Sequence, residues 1–391
     1  MTQPANRLDR LPAYVFAVIG DRLRAMQAAG VDVIRLDIGS PDAPPPDHVI
    51  QRLGQAALDP TIHGYSGYRG HPAFRQAIAR YYKRRFGVTI NPDTEVLPLL
   101  GSKEGIVNLT LAYCDTGDAV LIPSVGYPSY MQSARLAGSD IEWVPVDVEN
   151  GYLADLSRVS DAAAQRSKLL WLNYPNNPTG AVAPFDYLQD AVAWSASRDV
   201  LLAFDNPYCE VTFDGYVAPS IMQVDGAKDT AIEFISLSKS HNMAGWRLGA
   251  AVGSKQTIDT LLKVKSNFDS GHFNAIYLAG QAALDDTPQS WIDARNHVYQ
   301  LRRDKLMAAL PEIGLRGDLP KATLYVWATP DKLNASDYVE KALVEAHVSL
   351  AGGAAYGPDG TDWIRFSIGV PDDQFDDAIR RLKEWYSAKY A

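Results

Sequence analysis

Short apolar segments of strand length recur along the middle of the chain, and longer amphipathic segments separate them. We predict strands of this kind at residues 95–99, 119–122, 141–146, 168–172, 200–204 and 231–236. Strands that alternate with helical segments are typical of a largely parallel sheet whose crossover connections are helices. The pattern therefore predicts an α/β domain in this part of the chain.

The spacing of apolar residues changes in the last quarter of the chain. A long helix is predicted at 289–310, and an amphipathic helix at 373–388 closes the chain. Shorter strands are predicted between them, at 325–328, 348–350 and 363–368. At the other end, a helix at 12–29 leads through a strand at 33–39 into a turn-rich segment, 40–46. The last quarter is thus predicted to form a smaller α+β domain.

Composition excludes several classes of function. The net charge of −9 and the pI near 5.3 argue against a nucleic-acid surface, which needs clustered Lys and Arg. The apolar stretches are far shorter than the roughly 20 residues that span a bilayer, and the N-terminus lacks an apolar signal core, so a cytoplasmic protein is expected. Cys114 and Cys209 have no metal-ligand spacing, which predicts buried free thiols and no metal site.

One lysine lies in an unusual setting. Lys239 is flanked by Ser236, Ser238 and Ser240, and Arg247 follows eight residues later. Its amine can condense with an aldehyde to a Schiff base, while the neighbouring hydroxyls and the arginine can bind a phosphate dianion. Lysine beside serine also fits an ordinary solvated surface. By itself, this segment leaves both interpretations open.

Polar side chains follow two of the predicted strands at the points where they end. Asn177 comes after the strand at 168–172, and Asp205 and Tyr208 come after the strand at 200–204. Ligands of open α/β sheets bind at the carboxyl ends of strands, so these side chains are expected to converge with Lys239. The alternatives are a turn for Asn177 and a helix cap for Asp205.

A second phosphate site is indicated by Gly101-Ser102-Lys103. This segment follows the strand at 95–99 and opens a predicted helix at 104–113, whose N–H groups can hold a phosphate. It lacks the earlier glycine of a nucleotide P-loop, which argues against ATP.

These segments together resemble the class I/II aminotransferases, which are fold type I enzymes that use pyridoxal 5′-phosphate (PLP). Within that family the chain is similar to the LL-diaminopimelate aminotransferases, through residues 100–105, 173–180, 233–239 and 242–247. The resemblance implies a large PLP-binding α/β domain at 41–285, with a mostly parallel sheet of the seven-stranded type. It also implies that 1–40 pack with 286–391 in a discontinuous small α+β domain.

The resemblance implies roles at the cofactor ring. Lys239 would form the Schiff base and, once released, move the substrate's Cα proton. Asp205 would face the pyridinium nitrogen and stabilise its protonated form. Asn177 and Tyr208 would bind the phenolate oxygen, and Tyr127 would stack on the ring.

The resemblance also implies a phosphate site completed by a second subunit, and therefore a homodimer with shared active sites. Tyr65 would reach the phosphate of the neighbouring subunit. Lys103 either leans toward the distal end of the substrate or is solvated. The residues implied at the phosphate from the same chain are Ser102, Ser236, Ser238 and Arg247.

Substrate residues are implied in the same way. Arg365 would clamp the α-carboxylate through two parallel N–H bonds, and Asn274 would approach that carboxylate from the second subunit. Tyr14 and Gly39 would line the substrate pocket. Asp37 lies two residues before Gly39 and points the same way on a strand, so it either pairs with a distal cation of the substrate or makes a structural hydrogen bond.

The expected activity is transfer of an amino group from an L-amino acid, such as LL-diaminopimelate, to a 2-oxo acid such as 2-oxoglutarate. Tyr68 occupies a position where one subgroup of relatives carries an acid, which leaves the donor open. The alternatives are a PLP-dependent oxidase or lyase acting on a basic amino acid, and an aspartate- or alanine-type aminotransferase. A non-enzymatic regulator is a third class, but 391 residues leave no room for the DNA-binding domain it would need.

Overall fold

The computed structural model describes residues 2–146 and 148–390. Thirteen strands form three sheets in the described part of the chain. They are β1 (Ile34–Arg35), β2 (Val96–Leu99), β3 (Ala119–Pro123), β4 (Asp140–Val144), β5 (Ser167–Asn173), β6 (Leu201–Asp205), β7 (Ala231–Ser236), β8 (Gly249–Gly253), β9 (Leu315–Arg316), β10 (Tyr325–Pro330), β11 (Val348–Ser349), β12 (Ala351–Gly352) and β13 (Ile364–Ser367).

Helices cover the sheets and connect the strands. They are α1 (Val15–Ala28), α2 (Asp47–Ala57), α3 (Pro72–Phe86), α4 (Ser102–Tyr113), α5 (Pro128–Ala137), α6 (Asp161–Arg166), α7 (Phe185–Arg198), α8 (Ala227–Thr230), α9 (Leu237–Ser240), α10 (Lys255–Lys265), α11 (Asn274–Asp286), α12 (Gln289–Ala309), α13 (Ala335–Glu345) and α14 (Asp372–Tyr390).

The largest sheet has seven strands in the order β2-β8-β7-β6-β5-β3-β4. Strands β3 to β7 pair in parallel, whereas β8 runs antiparallel to both β2 and β7. The central strands are buried along their length, as expected for a sheet covered by helices on both faces. The predicted α/β fold is confirmed, and β8 is a strand that the sequence pattern did not reveal.

The C-terminal part forms a four-stranded antiparallel sheet in the order β12-β13-β10-β9. Strand β1 pairs in parallel with β11, with Ile34 opposite Val348, so the N-terminal segment packs against the C-terminal part. Ile34 and Leu36 share an apolar core with residues of β10, α12 and α14. The division of the chain at residues 40 and 285 stays a prediction, and this pairing supports it.

Two further expectations concern properties of the whole chain. Cys114 and Cys209 are free and buried, as predicted. No helix in the described part of the chain is long and apolar enough to cross a membrane. The cytoplasmic location stays a prediction.

The fold brings several strand ends to one place. In the parallel register, Asn173 at the end of β5 lies opposite Asp205 at the end of β6, and Asp205 lies opposite Phe234 of β7. Strand β7 ends two residues later at Ser236, and the single turn of α9 that follows carries Lys239. The carboxyl edge of the sheet therefore concentrates the polar side chains that the sequence singled out.

Candidate active site

A cavity of about 520 Å³ opens at this edge of the sheet. Fourteen of the sixteen predicted site residues line it. They are Tyr14, Asp37, Gly39, Ser102, Lys103, Tyr127, Asn177, Asp205, Tyr208, Ser236, Ser238, Lys239, Arg247 and Arg365.

Lys239 projects into the cavity from α9. Its amine donates a hydrogen bond to the carbonyl oxygen of Gly39. Burial, reinforced by the positive charges of Arg365 and Arg247, lowers the pKa of the Lys239 amine to about 7. A substantial fraction of this amine is therefore neutral, and hence nucleophilic, near neutral pH.

Arg295 of α12 fixes the backbone around this lysine. Its Nη1 donates to the carbonyl oxygen of Lys239 at 3.0 Å and also to that of Ser240, and its Nη2 donates to the carbonyl oxygen of Glu210. Arg295 is only 7% exposed, and burial lowers its pKa to about 10. A buried arginine that binds backbone carbonyls joins the lysine turn to the loop after Tyr208. Sequence analysis did not single out Arg295, because its partners are distant in the chain.

Asp205 ends β6 inside the cavity wall. Its Oδ2 accepts a hydrogen bond from the Tyr130 hydroxyl at 2.8 Å, while its Oδ1 is buried and has no partner among the described residues. Burial raises the pKa of Asp205 to about 7, although the bond from Tyr130 acts in the opposite direction. The neighbouring Asn173 donates to the Asp205 carbonyl oxygen at 2.7 Å and so fixes the strand end.

Gly101, Ser102 and Arg247 form a cradle at the N-terminus of α4. Gly101 has a φ of +80°, and a Cβ on it would collide with the guanidinium of Arg247. Arg247 is itself held by a bond from its Nη1 to the carbonyl oxygen of Ala244 at 2.8 Å. Ser236 caps α9 by accepting a bond from the Ser238 N–H at 3.2 Å. Backbone N–H groups, hydroxyls and a guanidinium thus meet where a phosphate can bind.

Arg365 of β13 also lines the cavity. Its Nη1 donates to Asn177 Oδ1 at 2.9 Å, and its Nη2 donates to the carbonyl oxygen of Asp37 at 2.6 Å. The guanidinium carbon lies 4.2 Å from the ring centroid of Tyr325. Its Nε is buried without a partner in the described chain. Arg365 is thus a fully buried, oriented cation with donor capacity left over.

Tyr325 and Tyr208 both line the cavity and contact each other. Their hydroxyl oxygens lie 2.9 Å apart, and the rings meet edge to face. Gly39 packs so closely on Tyr325 that a Cβ on it would overlap the phenol hydroxyl. A glycine at this position is therefore required by the approach of the tyrosine ring.

The two roles left open for Asp37 are separated by its contacts. Its side chain is completely buried, and both of its oxygens are bound by Arg35, Nε at 3.1 Å and Nη2 at 2.7 Å. A carboxylate whose two oxygens both accept hydrogen bonds from an arginine of the same chain forms a structural ion pair. The structure therefore favours the structural alternative over direct pairing with a substrate cation.

Tyr127 and Lys103 also line the cavity. Tyr127 meets Tyr130 edge to face, with ring centroids 5.8 Å apart, and burial raises its pKa to about 12. The ammonium of Lys103 lies 4.2 Å from the centroid of the Tyr14 ring. Lys103 is thus on the cavity wall, where the sequence left its placement open.

Tyr65 and Asn274 do not line the cavity of their own chain. Tyr65 is 91% exposed. Asn274 donates through Nδ2 to the carbonyl oxygens of Ile62 and Gly64, at 2.8 and 3.1 Å, and so holds the segment that precedes Tyr65. Both residues were predicted to serve a neighbouring subunit.

Sequence analysis missed nine residues of the cavity wall. Arg35 could have been found because it lies two residues before Asp37 on a predicted strand. Asn173 could have been found because it directly follows a predicted strand, just before the Pro/Asn turn. The nine residues are Phe16, Ala17, Gly20, Arg24, Arg35, Ile38, Asn173, Pro207 and Tyr325.

The family of class I and II aminotransferases matches the chain over residues 31–382. The chain belongs to this family. It is an enzyme that moves an amino group between an amino acid and a 2-oxo acid, and members of the family use PLP. The family predicted from the sequence motifs is thereby confirmed.

Several LL-diaminopimelate aminotransferases are similar to this aminotransferase over almost its whole length. The LL-diaminopimelate aminotransferase of Dehalococcoides mccartyi is 43% identical over 384 residues, which cover 98% of this chain and 99% of that protein. The enzyme of the same name from Moorella thermoacetica is 43% identical over 382 residues, covering 97% of this chain and 98% of that protein.

Solved structures share the fold of this aminotransferase. BacF from Bacillus subtilis superposes with a TM-score of 0.94 at 33% identity, covering 98% of both chains. A probable N-succinyldiaminopimelate aminotransferase from Thermus thermophilus superposes with a TM-score of 0.88 at 36% identity, covering 95% of this chain and 99% of that chain. The fold type I architecture is thus confirmed.

Proposed function

We propose that this aminotransferase binds PLP in the described cavity and transfers the amino group of an L-amino acid with a charged distal end to 2-oxoglutarate. LL-diaminopimelate is the proposed donor, on the strength of the relatives that carry its name. The observation that carries the proposal is the convergence of a buried lysine amine, the unpartnered Oδ1 of Asp205 and the oriented guanidinium of Arg365 in one cavity.

The residues present fit the two charged parts of PLP. Asp205 Oδ1 is a buried acceptor that lacks a donor among the described residues, and it suits a protonated ring nitrogen. The cradle of Gly101, Ser102 and Arg247 suits the phosphate. When bound, the cofactor supplies an electron sink for the bond broken at Cα.

Side chains of the protein would move the Cα proton and orient the substrate. The Lys239 amine, with a pKa near 7, can hold and return the Cα proton, because neither of its protonation states is strongly favoured. Arg365 fixes the α-carboxylate and thereby the Cα–H bond relative to Lys239. Its own orientation is set by Asn177 and the Asp37 carbonyl, so the substrate meets a preformed clamp.

The proposed donor is tested in half-reactions with the PLP-loaded protein. Each amino acid is mixed alone with the enzyme, and conversion of the cofactor from its aldehyde to its amine form is followed by absorbance, with oxygen monitored in parallel. We expect conversion with LL-diaminopimelate and glutamate, at rates at least tenfold above alanine and arginine, without oxygen uptake. Oxygen consumption without the amine form would instead indicate an oxidase.

We also propose a homodimer in which each subunit completes the site of the other. Tyr65 and Tyr68 are 91% and 56% exposed. Between them, the Ser66 hydroxyl donates to the carbonyl oxygen of Ser270 at 3.3 Å, and Phe268, two residues before Ser270, is 66% exposed. Exposed aromatic patches of this kind are typical of interaction surfaces.

Subunit mixing tests the shared site. Lys239→Ala and Tyr65→Ala proteins are each expected to be nearly inactive as homodimers. After mixing and subunit exchange, activity should return to about a quarter of the wild-type level, because half of the dimers are mixed and each holds one intact site. A fully active monomer in sedimentation experiments would contradict this arrangement.

A further inference from the structure

We propose that Arg35, held in place by Asp37, is the residue that recognises the distal carboxylate of the substrate. The inference rests on the proposed function and names the substrate class that this end of the cavity selects, a dicarboxylate. Basic amino acids without a distal carboxylate are then poor substrates.

The geometry around Arg35 is that of a preorganised anion receptor. Nε and Nη2 bind the two oxygens of Asp37 side by side, at 3.1 and 2.7 Å, which fixes the guanidinium plane. The Arg35 side chain is 31% exposed and lines the cavity. Its Nη1 has no partner in the described part of the chain, so its N–H groups can bind a second carboxylate.

The net charge of the cavity wall also favours binding of a distal carboxylate. The wall carries six basic residues and two acidic ones. Lys239, Arg247, Arg365 and Asp205 are assigned to the cofactor and to the α-carboxylate. The charged residues left for the rest of the substrate are Arg24, Arg35, Lys103 and Asp37. This remainder is positive, so it attracts a distal carboxylate.

Of the three remaining cations, Arg35 is the one that two hydrogen bonds hold in a partly buried position. The side chain of Arg24 is 71% exposed and paired with the equally exposed Asp21, where solvent weakens its field. Lys103 lies over the Tyr14 ring and presents a point charge rather than a planar fork. Arg35 is partly buried and fixed, and therefore loses the least side-chain entropy on binding.

Arg35 ends β1, and the segment that follows it contacts Arg365 and Lys239. The Asp37 carbonyl receives Arg365, and the Gly39 carbonyl receives Lys239. Residues 35 and 37 share one face of this extended segment. A substrate held by Arg365 at one end is thus close to the segment that carries Arg35.

The test compares ligands that carry a distal carboxylate with ligands that lack it. Glutarate and pentanoate have the same chain length, and their binding to the PLP-loaded enzyme is measured by calorimetry. In parallel, kcat/KM is measured with 2-oxoglutarate and pyruvate. Removing Arg35 alone would leave Asp37 buried without a partner, so the main variant is Arg35→Gln/Asp37→Asn. Arg22→Gln, an exposed arginine paired with Glu340, is the matched control.

The double variant should weaken glutarate binding and lower kcat/KM for 2-oxoglutarate by about tenfold to a hundredfold, the range of a lost charged hydrogen bond. Pentanoate and pyruvate should change by less than about threefold, and Arg35→Lys should fall between. Equal losses for both ligands, or no loss for glutarate, would overturn the role of Arg35. The binding measurements decide this even where no turnover occurs, whereas a wild-type enzyme that transaminates no donor would overturn the proposed function itself.

Discussion

Lys239→Ala is expected to abolish transamination, lowering kcat by at least about a thousandfold, because in the proposed function its amine both binds the cofactor covalently and moves the Cα proton. The other lysine that lines the cavity, Lys103, lies in α4 over the ring of Tyr14 and not at the end of β7. Borohydride reduction of the PLP-loaded wild-type protein, followed by peptide mapping, should place the label on Lys239.

The pKa near 7 adds a pH dependence to this prediction. Only the neutral amine attacks an aldehyde, so the rate at which cofactor-free protein takes up PLP should rise between about pH 6 and 8 and level off above. Lys255→Ala removes a lysine that is 66% exposed and should leave uptake unchanged. A label on another lysine, or normal turnover by the Lys239 variant, would exclude the assignment.

The sequence predicted the large sheet well because its buried parallel strands are nearly continuous apolar runs such as Leu169–Leu172. It did not reveal β8, whose sequence Gly-Ala-Ala-Val-Gly has small residues and glycines at both ends. Its strand conformation comes from pairing with β2 and β7, which no local pattern encodes.

The site shows the same division between local and long-range information. Asp205 could be found because it directly follows a predicted apolar strand, and Asn177 because it lies in the turn after another. Arg295 could not, because it lies inside the long helix α12 and reaches backbone carbonyls 55 to 85 residues away. The pair between Arg35 and Asp37 is an intermediate case: the strand period places both on one face, but only the structure shows that both Asp37 oxygens are engaged.

Asp205→Asn is expected to slow Cα proton removal by at least about a hundredfold, the usual cost of losing one preorganised electrostatic partner in an active site. The amide keeps the volume and can still accept the Tyr130 hydrogen bond, but it carries no negative charge for a protonated ring nitrogen. Single-turnover reactions with donors carrying deuterium at Cα measure this step directly, and the isotope effect should increase.

A stability measurement separates this role from a structural one. Burial raises the pKa of Asp205 from 3.8 to about 7, so across this window the folded cofactor-free chain holds a proton that the unfolded chain has released. Ionising Asp205 therefore costs stability as pH rises through the window, and the Asn variant lacks that cost. The stability of cofactor-free Asp205→Asn relative to wild type should thus rise between about pH 4 and 7, while its activity is lost. Lower stability at high pH together with normal proton removal would show that Asp205 only supports the fold.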